Sequence, residues 1–154
     1  MTLRNSMHDY EHSTSIFLHA VTQVNGENLD RHLPGGWSAR QVIHHVADSE
    51  AQAYARLRRL LAEPPGSIIE GYDEAAWAQS RELGYTELPI EHSLAVFRAV
   101  RQASHDVLGR LSEDDLERHG VHSEFGDYSV ATWLKVYTEH PREHAAQLSA
   151  AISA

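Results

Sequence analysis

Two histidines near the C-terminus, His140 and His144, are the first candidates for chemistry. They lie four positions apart in the stretch EHPREH. Four residues make about one helical turn, so on a helix both imidazoles leave the same face. Imidazoles are typical ligands of zinc, nickel and other divalent ions. Pro141 lies between the two, although a helix interior tolerates proline poorly. The stretch therefore predicts part of a metal site on a helix that proline disturbs.

The spacing alone is weak evidence, because the chain has 12 histidines among 154 residues. Random placement would produce about one pair at a spacing of four, which is the false-positive risk of any short pattern. A second pair with this spacing, His8 and His12, lies near the N-terminus. A three-histidine site therefore needs a further ligand from another part of the chain.

The stretch VIHHVADSE offers that ligand in His44 or His45. Adjacent helical residues point about 100° apart, so only one of them can face a shared interior point. Periodicity does not decide between the two. His45 shares a polar strip with four residues: Gln41, Asp48, Ser49 and Gln52. Because a metal site needs acceptors that orient its imidazoles, this strip favours His45.

Four segments that must position these histidines have the apolar spacing of amphipathic helices. They cover about residues 6–32, 39–62, 89–111 and 130–152. Gly26 is expected to interrupt the first. Ser38 is placed to cap the second, with Gln41 as its capping-box partner, and Pro89 suits the first turn of the third.

The connections are less regular than the helices. Residues 62–88 form an insertion with one short helical piece near DEAAWAQ. A short capped helix is predicted for SEDDLERHG. A turn-rich loop or small hairpin is predicted for VHSEFGDYS. We therefore expect an all-α protein: a single domain, residues 1–154, folded as an antiparallel four-helix bundle with an irregular insertion between its second and third long helices.

Composition excludes several classes of function. The formal charge is −9, from 22 acidic and 13 basic residues, which argues against nucleic acid as a partner. Cysteine is absent, so histidine or carboxylate must hold any metal. The sequence contains no apolar run long enough to span a bilayer and no secretory leader pattern at its N-terminus. We expect a cytoplasmic protein that does not bind membranes.

The order of five motifs adds a resemblance to a known family. GGWSARQVIHHVADSEAQAY, YDEAAW, LPIEHSL, HSEFGDYS and YTEHPREH follow one another across about residues 30–153. In this order they resemble the DinB/YfiT-like superfamily of metal-dependent hydrolases, and most closely its YfiT branch. The resemblance implies a four-helix bundle with three helix-borne histidines on one divalent ion, zinc or nickel. The matching positions are His45, eight residues after Trp37, and the pair His140 and His144.

The chain departs from the YfiT pattern around the last two ligands. Glu139 stands where the family often has tryptophan, and Glu143 where it often has an extra histidine. Pro141 has no N–H, so it leaves the carbonyl of Tyr137 without its helical donor. We expect a kink or a π-type bulge over residues 137–141.

Other residues are candidates for the surroundings of the site. Gln41 and Asp48 could hold a ligand imidazole, while Tyr72 and Asp73 in the insertion and Glu124 in the last loop could line the mouth. Trp77 is expected to anchor the insertion, and Trp37 to lie in the core. The sequence assigns no general base, so the catalytic residues stay open.

Three functions are compatible with these residues. An open position on a three-histidine ion can activate water for hydrolysis, or bind a thiol as its thiolate. The resemblance to relatives that use mycothiol or bacillithiol favours the transfer of a low-molecular-weight thiol to an electrophilic small molecule over hydrolysis. The third function is non-enzymatic, a metal-binding or association bundle. We expect a homodimer, the default for bundles of this kind.

Overall fold

Four long helices form the framework of the computed structural model, which describes residues 2–154. They are α1 (Leu3–Val21), α2 (Ala39–Ala62), α4 (Glu91–Leu108) and α5 (Val130–Ile152), and a short helix, α3 (Glu74–Gln79), lies in the insertion. Helix α1 packs mainly on α5, and α2 packs on both α4 and α5. The predicted four-helix bundle and the position of its insertion are confirmed. None of the described helices has the length and apolar character that crossing a bilayer requires.

Helix α1 is shorter than the sequence pattern indicated. It ends at Val21 instead of near residue 32, and the following residues form turns. The reason is local competition for backbone groups. Thr22 donates its hydroxyl to the carbonyl of His19 at 2.6 Å, and the side chain of Asn25 accepts from the backbone of Glu27 at 2.8 Å. Side chains of this type draw the backbone out of a helix.

Helix α2 begins as expected. Ser38 accepts from the backbone N–H of Gln41 at 3.2 Å, while the side chain of Gln41 accepts from the backbone of Ser38 at 2.9 Å, which completes the capping box. Helix α4 begins at Glu91, later than predicted, and Pro89 lies outside it. The carbonyl just before that proline, on Leu88, is engaged by the side chain of Arg40 at 2.9 Å and is not part of the helix.

A small sheet covers one end of the bundle. Its strands are β1 (Ile68–Ile69), β2 (His119–His122) and β3 (Gly126–Ser129). Strands β2 and β3 form the predicted hairpin, whereas β1 pairs in parallel with β2 and was not predicted. A two-residue strand is too short to show a period-two pattern. A 3₁₀ helix at Glu113–Glu117 takes the place of the predicted short capped helix.

Pro141 lies inside α5 without a π-type bulge, so that part of the prediction is wrong, while the alternative, a kink, stays a prediction. The helix is α-helical at every residue from Val130 to Ile152. The carbonyl of Tyr137, which proline deprives of its helical partner, accepts a hydrogen bond from Arg101 Nη1 at 2.6 Å. A buried arginine on α4 thus replaces the missing donor, and the α-helix continues across Pro141.

The interior contains two apolar clusters. One surrounds Trp133, whose indole N–H donates to the carbonyl of Ala53 at 2.9 Å, and the other surrounds the ring pair Phe17 and Phe97. All four long helices contribute to both clusters. Between them lie buried polar residues: Ser13, Glu50, Arg101 and Ser104. This polar layer adjoins the candidate site.

Candidate metal centre

Three histidines converge where α2 faces α5. His45, His140 and His144, here called the three-histidine cluster, each present a ring nitrogen, and these atoms all lie within 4.8 Å of one another. Nε2 of His45 lies 3.1 Å from Nε2 of His144. The ring centroids of His140 and His144 are 4.4 Å apart. Within the part of the chain that the structure describes, no other group of three potential metal-ligating side chains converges as closely.

The choice between the two adjacent histidines is settled by the orientation of α2. His44 points to α4, where its Nδ1 lies 2.7 Å from Ser93 Oγ and its Nε2 lies 3.0 Å from the carbonyl of Leu88. Both of its nitrogens are therefore engaged. His45 points to α5 and is 1% exposed. It also packs against Trp37, with ring centroids 4.9 Å apart, at the edge of the second apolar cluster.

Burial keeps two of the three rings neutral. The pKa of His45 is lowered to about 3, mainly by burial and to a smaller extent by the neighbouring rings of His144 and His140. Burial likewise lowers the pKa of His144 to about 4, assisted by His140 and opposed by the hydrogen bond that its Nδ1 donates to Gln147 Oε1. At neutral pH these imidazoles carry lone pairs, the form that binds a metal.

The geometry of the cluster fits a divalent ion. Two nitrogens bound to zinc at about 2.0–2.1 Å in tetrahedral geometry lie about 3.3 Å apart, close to the 3.1 Å between His45 and His144. Both ring nitrogens of His140 are buried without a hydrogen-bond partner, as is Nδ1 of His45. Buried polar atoms are usually partnered, and a shared cation would engage one nitrogen of each ring.

Side chains beside the cluster contact two of the rings in different ways. Gln147 Oε1 lies 2.7 Å from Nδ1 of His144, so that nitrogen donates and Nε2 is left to face the cluster. Such a hydrogen bond fixes the tautomer and direction of a ligand imidazole in metal sites. Oε1 of Glu50 lies 3.6 Å from Nδ1 of His140, which is close enough for an electrostatic interaction but too long for a hydrogen bond.

Glu50 is itself held by a buried arginine. Nη1 of Arg101 lies 3.3 Å from Glu50 Oε1, and both side chains are 1% exposed. The guanidinium also donates to four other acceptors, which are Tyr10 O, Ser13 Oγ, Thr14 Oγ1 and Tyr137 O. Its carbon lies 3.5 Å from the centroid of the Tyr10 ring. Arg101 therefore links α1, α2, α4 and α5 behind the cluster.

Two residues predicted to orient the imidazoles have other partners. Gln41 completes the capping box of α2. Asp48 accepts a hydrogen bond from the hydroxyl of Tyr85 at 2.5 Å, in a cavity of about 260 Å³ that His44 also lines. Gln41 and Asp48 were predicted to contact the ligand imidazoles, but the side chains that lie beside the cluster are those of Gln147 and Glu50.

A second cavity, of about 490 Å³, is lined by His140 and is here called the His140 cavity. Three residues that were predicted to lie at the mouth line it: Tyr72, Asp73 and Glu124. Trp77 packs on Tyr72, another residue of the insertion, with ring centroids 4.6 Å apart. Asp73 and Glu124 are exposed.

Sequence reasoning missed Glu50, Arg101, Gln147 and Arg56, the last of which also lines the His140 cavity. Gln147 follows His144 by three positions, so helical spacing could have found it. Arg56 follows His45 by eleven positions, about three turns, and lies on the same face. Glu50 and Arg101 had no such signal, because their pairing joins residues 51 positions apart.

Comparison with known proteins agrees with this geometry. The model of the DinB superfamily matches residues 9–148. A protein from Oceanobacillus iheyensis, named "Putative metal-dependent hydrolase", is 36% identical over 144 residues, which are 93% of this chain and 81% of the relative.

Two solved structures share the fold. YfiT from Bacillus subtilis, described as "a probable metal-dependent hydrolase with an unusual four-helix bundle topology", superposes with a TM-score of 0.84 at 26% identity, over 96% of this chain and 83% of that one. TT2238, a four-helix bundle protein, has a TM-score of 0.66 at 20% identity, over 97% and 99% of the two chains. The chain therefore belongs to the DinB superfamily, as its motifs indicated.

Proposed function

We propose that this protein is a metal-dependent enzyme whose three-histidine cluster holds one zinc or nickel ion, and that it transfers a low-molecular-weight thiol, such as bacillithiol, to an electrophilic small molecule. The observation that carries the proposal is the convergence of three imidazoles beside the His140 cavity. A volume of about 490 Å³ lies in the range of small-molecule sites.

The residues around the cluster favour the binding of a cation that keeps one coordination position open. His45 and His144 are held neutral by burial, and Gln147 directs Nε2 of His144 into the cluster. The cluster contains three histidines and no fourth metal-ligating side chain among the described residues. When bound, a divalent ion in such a site lowers the pKa of a water or thiol at its open position.

Thiol transfer is favoured over hydrolysis by the carboxylates around the cluster. A general base must lie within hydrogen-bond reach of the water that it activates. Glu50 is buried and paired with Arg101, while Asp73 and Glu124 are exposed on the cavity. A thiol has a free pKa of about 8.5 and needs little help to ionise. The chain contains no cysteine, so the thiol must come from a cosubstrate.

Hydrolysis through an activated water is the second candidate function. The observation in its favour is that the relative from O. iheyensis is named, and YfiT is described, in terms of metal-dependent hydrolysis. The His140 cavity could accept an ester or amide as readily as an electrophile for thiol transfer.

The first experiment measures bound metal by elemental analysis of wild-type protein and of His144→Ala. We expect about one zinc or nickel per wild-type chain and a large loss in the variant. The matched control is His12→Ala, which changes an exposed histidine of the other pair. Equal metal content in wild type and His144→Ala, or none in either, would rule out the site.

The second experiment separates the two reactions. Wild-type protein, loaded with metal or stripped of it, is incubated with monochlorobimane and either bacillithiol or mycothiol, and in parallel with ester and amide substrates. Metal-dependent conjugation supports transfer, whereas metal-dependent cleavage without conjugation supports hydrolysis. Metal binding with neither activity would leave the association bundle as the function.

A homodimer in the cytoplasm, acting on small molecules and without nucleic acid as a partner, completes the proposal. Sedimentation equilibrium of the metal-loaded protein tests the oligomeric state. A single species at the mass of one chain, 17.3 kDa, would contradict the dimer.

A further inference from the structure

Arg56 is an arginine without a counter-ion beside the candidate centre. It lies on the face of α2 that carries His45 and lines the same cavity as His140. No carboxylate among residues 2–154 lies within 4.0 Å of its guanidinium. The side chain is half-buried, and no ion pair neutralises its charge.

The guanidinium is held in place by neutral groups. Nη1 donates to the hydroxyl of Tyr137 at 2.8 Å, and Nη2 donates to the carbonyl of Glu70 at 2.7 Å. Nε is buried and has no acceptor. A buried donor on a charged group that lacks a partner destabilises the protein. Arg56 is therefore a cation held in place, with N–H donors left for a ligand.

A second donor lies in the same cavity. The hydroxyl of Tyr72 is buried and makes no well-formed hydrogen bond, although Ser49 lies near enough to influence it. Burial raises the pKa of Tyr72 to about 12, so the phenol keeps its proton at neutral pH. Arg56 and Tyr72 thus bring a positive charge and a protonated hydroxyl to one cavity.

The acidic residues on this cavity do not pair with Arg56. Asp73, Glu74 and Glu124 are exposed, and the carboxylate of Asp73 accepts from the backbone of Ala76 at 2.9 Å as the cap of α3. Solvent screens charges in such positions. The nearest buried carboxylate to the cluster, that of Glu50, is paired with Arg101. Among the residues that line the cavity, Arg56 is therefore the one arginine or lysine, and hydrogen bonds hold it in place.

We propose that Arg56, assisted by Tyr72, binds a carboxylate group of the substrate in the His140 cavity. Arginine is well matched to carboxylate, through charge and through a planar set of donors. The inference rests on the proposed function, in which the substrate reacts at the three-histidine cluster beside His140. It adds that one of the two reactants is a small carboxylic acid.

The test compares two thiols that differ in one group, 3-mercaptopropionate and 3-mercapto-1-propanol. Their dissociation constants are measured on the cobalt(II)-loaded protein from its visible absorption. We expect the acid to bind at least about tenfold more tightly to wild type, since a hydrogen bond to a charged group has about that effect. The preference should disappear in Arg56→Gln.

The matched control is Arg59→Gln, which removes the same charge from the same helix. Arg59 is half exposed and pairs with Glu63 at 3.3 Å, away from the cavity. The preference for the acid should survive in this variant. Equal binding of the two thiols to wild type, or an unchanged preference in Arg56→Gln, would overturn the inference and leave the metal site standing.

A third measurement does not depend on metal. Propionate is titrated into the metal-stripped wild-type protein while the ¹H–¹⁵N resonance of Arg56 Nε is followed by NMR. We expect a saturable shift, weaker in Tyr72→Phe, and no shift would contradict the inference. This arm decides the question if Arg56→Gln does not fold, and also if the protein binds no metal and the proposed function fails.

Discussion

The chain contains two histidine pairs with the same spacing, and their surroundings differ. His8 and His12 lie exposed on α1, with ring centroids 6.5 Å apart. His140 and His144 on α5 have ring centroids 4.4 Å apart and meet His45 from α2. Helical spacing places two imidazoles on one face, but a third group and a buried setting are what make a metal site.

The removal of His45 tests this comparison most severely. His45→Ala should lower the affinity of the α5 pair for zinc by about 100-fold or more, because loss of a direct ligand exceeds the 10- to 100-fold effect of changing a supporting group. Competition with a chromophoric chelator measures it. His8→Ala is the matched control and should bind as wild type does. An affinity within threefold of wild type in His45→Ala would show that two histidines suffice.

Acid should destabilise the metal-free protein through the buried rings. The pKa values of His45 and His144, about 3 and about 4, lie below the ordinary value of 6.5. Between these values the unfolded chain binds more protons than the folded one, so stability is complete above pH 6.5 and falls as the pH drops. We expect a loss of about 2–3 kcal/mol per ring by pH 4.

Urea denaturation from pH 7 to pH 4 measures this loss in the presence of a chelator. His45→Phe should flatten the profile, because it replaces the ring that must stay neutral by an apolar one. His12→Ala should keep the wild-type slope. A slope that is identical in wild type and His45→Phe would mean that the buried ring does not contribute.

The α5 pair has a buried carboxylate beside it, that of Glu50, whereas the α1 pair is exposed. Glu50→Gln keeps the shape of the side chain but removes the charge near His140, and should lower zinc affinity by about 10- to 100-fold. It also leaves Arg101 without its carboxylate, so thermal unfolding must be recorded beside metal binding. Loss of stability with unchanged affinity would show that Glu50 supports only the fold.

The smallest effect is expected at Gln147. This residue is exposed, although its side chain bonds to Nδ1 of His144 at 2.7 Å. Gln147→Ala should weaken zinc binding by less than about tenfold, because solvent can replace the lost acceptor. The neighbouring exposed residue Ser149 provides the control Ser149→Ala. A loss as large as that of Glu50→Gln would indicate that the tautomer of His144 depends on Gln147 alone.

Much of the fold could be predicted because its signals are local. The capping box of Ser38 and Gln41, and the boundaries of α5, follow from residues within a few positions of one another. The end of α1 was predicted about ten residues too late. In the sequence, Thr22 and Asn25 look like polar residues on the exposed face of a helix, and only the structure shows that their side chains bond to the backbone instead.

Pro141 shows why the candidate site was predicted less completely than the fold. The sequence identified a free carbonyl on Tyr137 and indicated distortion of the helix. It could not show that Arg101, 36 positions away, would donate to that carbonyl at 2.6 Å. The same arginine pairs with Glu50, so the support of the cluster depends on contacts between helices that no spacing within one helix encodes.

The sequence by itself determined the helical composition of the bundle, the family and, through the order of its motifs, the three histidines that meet. Only the tertiary structure decided that His45 faces α5 while His44 faces α4, and that Arg56 reaches a cavity without a counter-ion. The physical reason is that helix periodicity defines the faces of a helix, whereas the packing of the apolar clusters chooses which face turns inward.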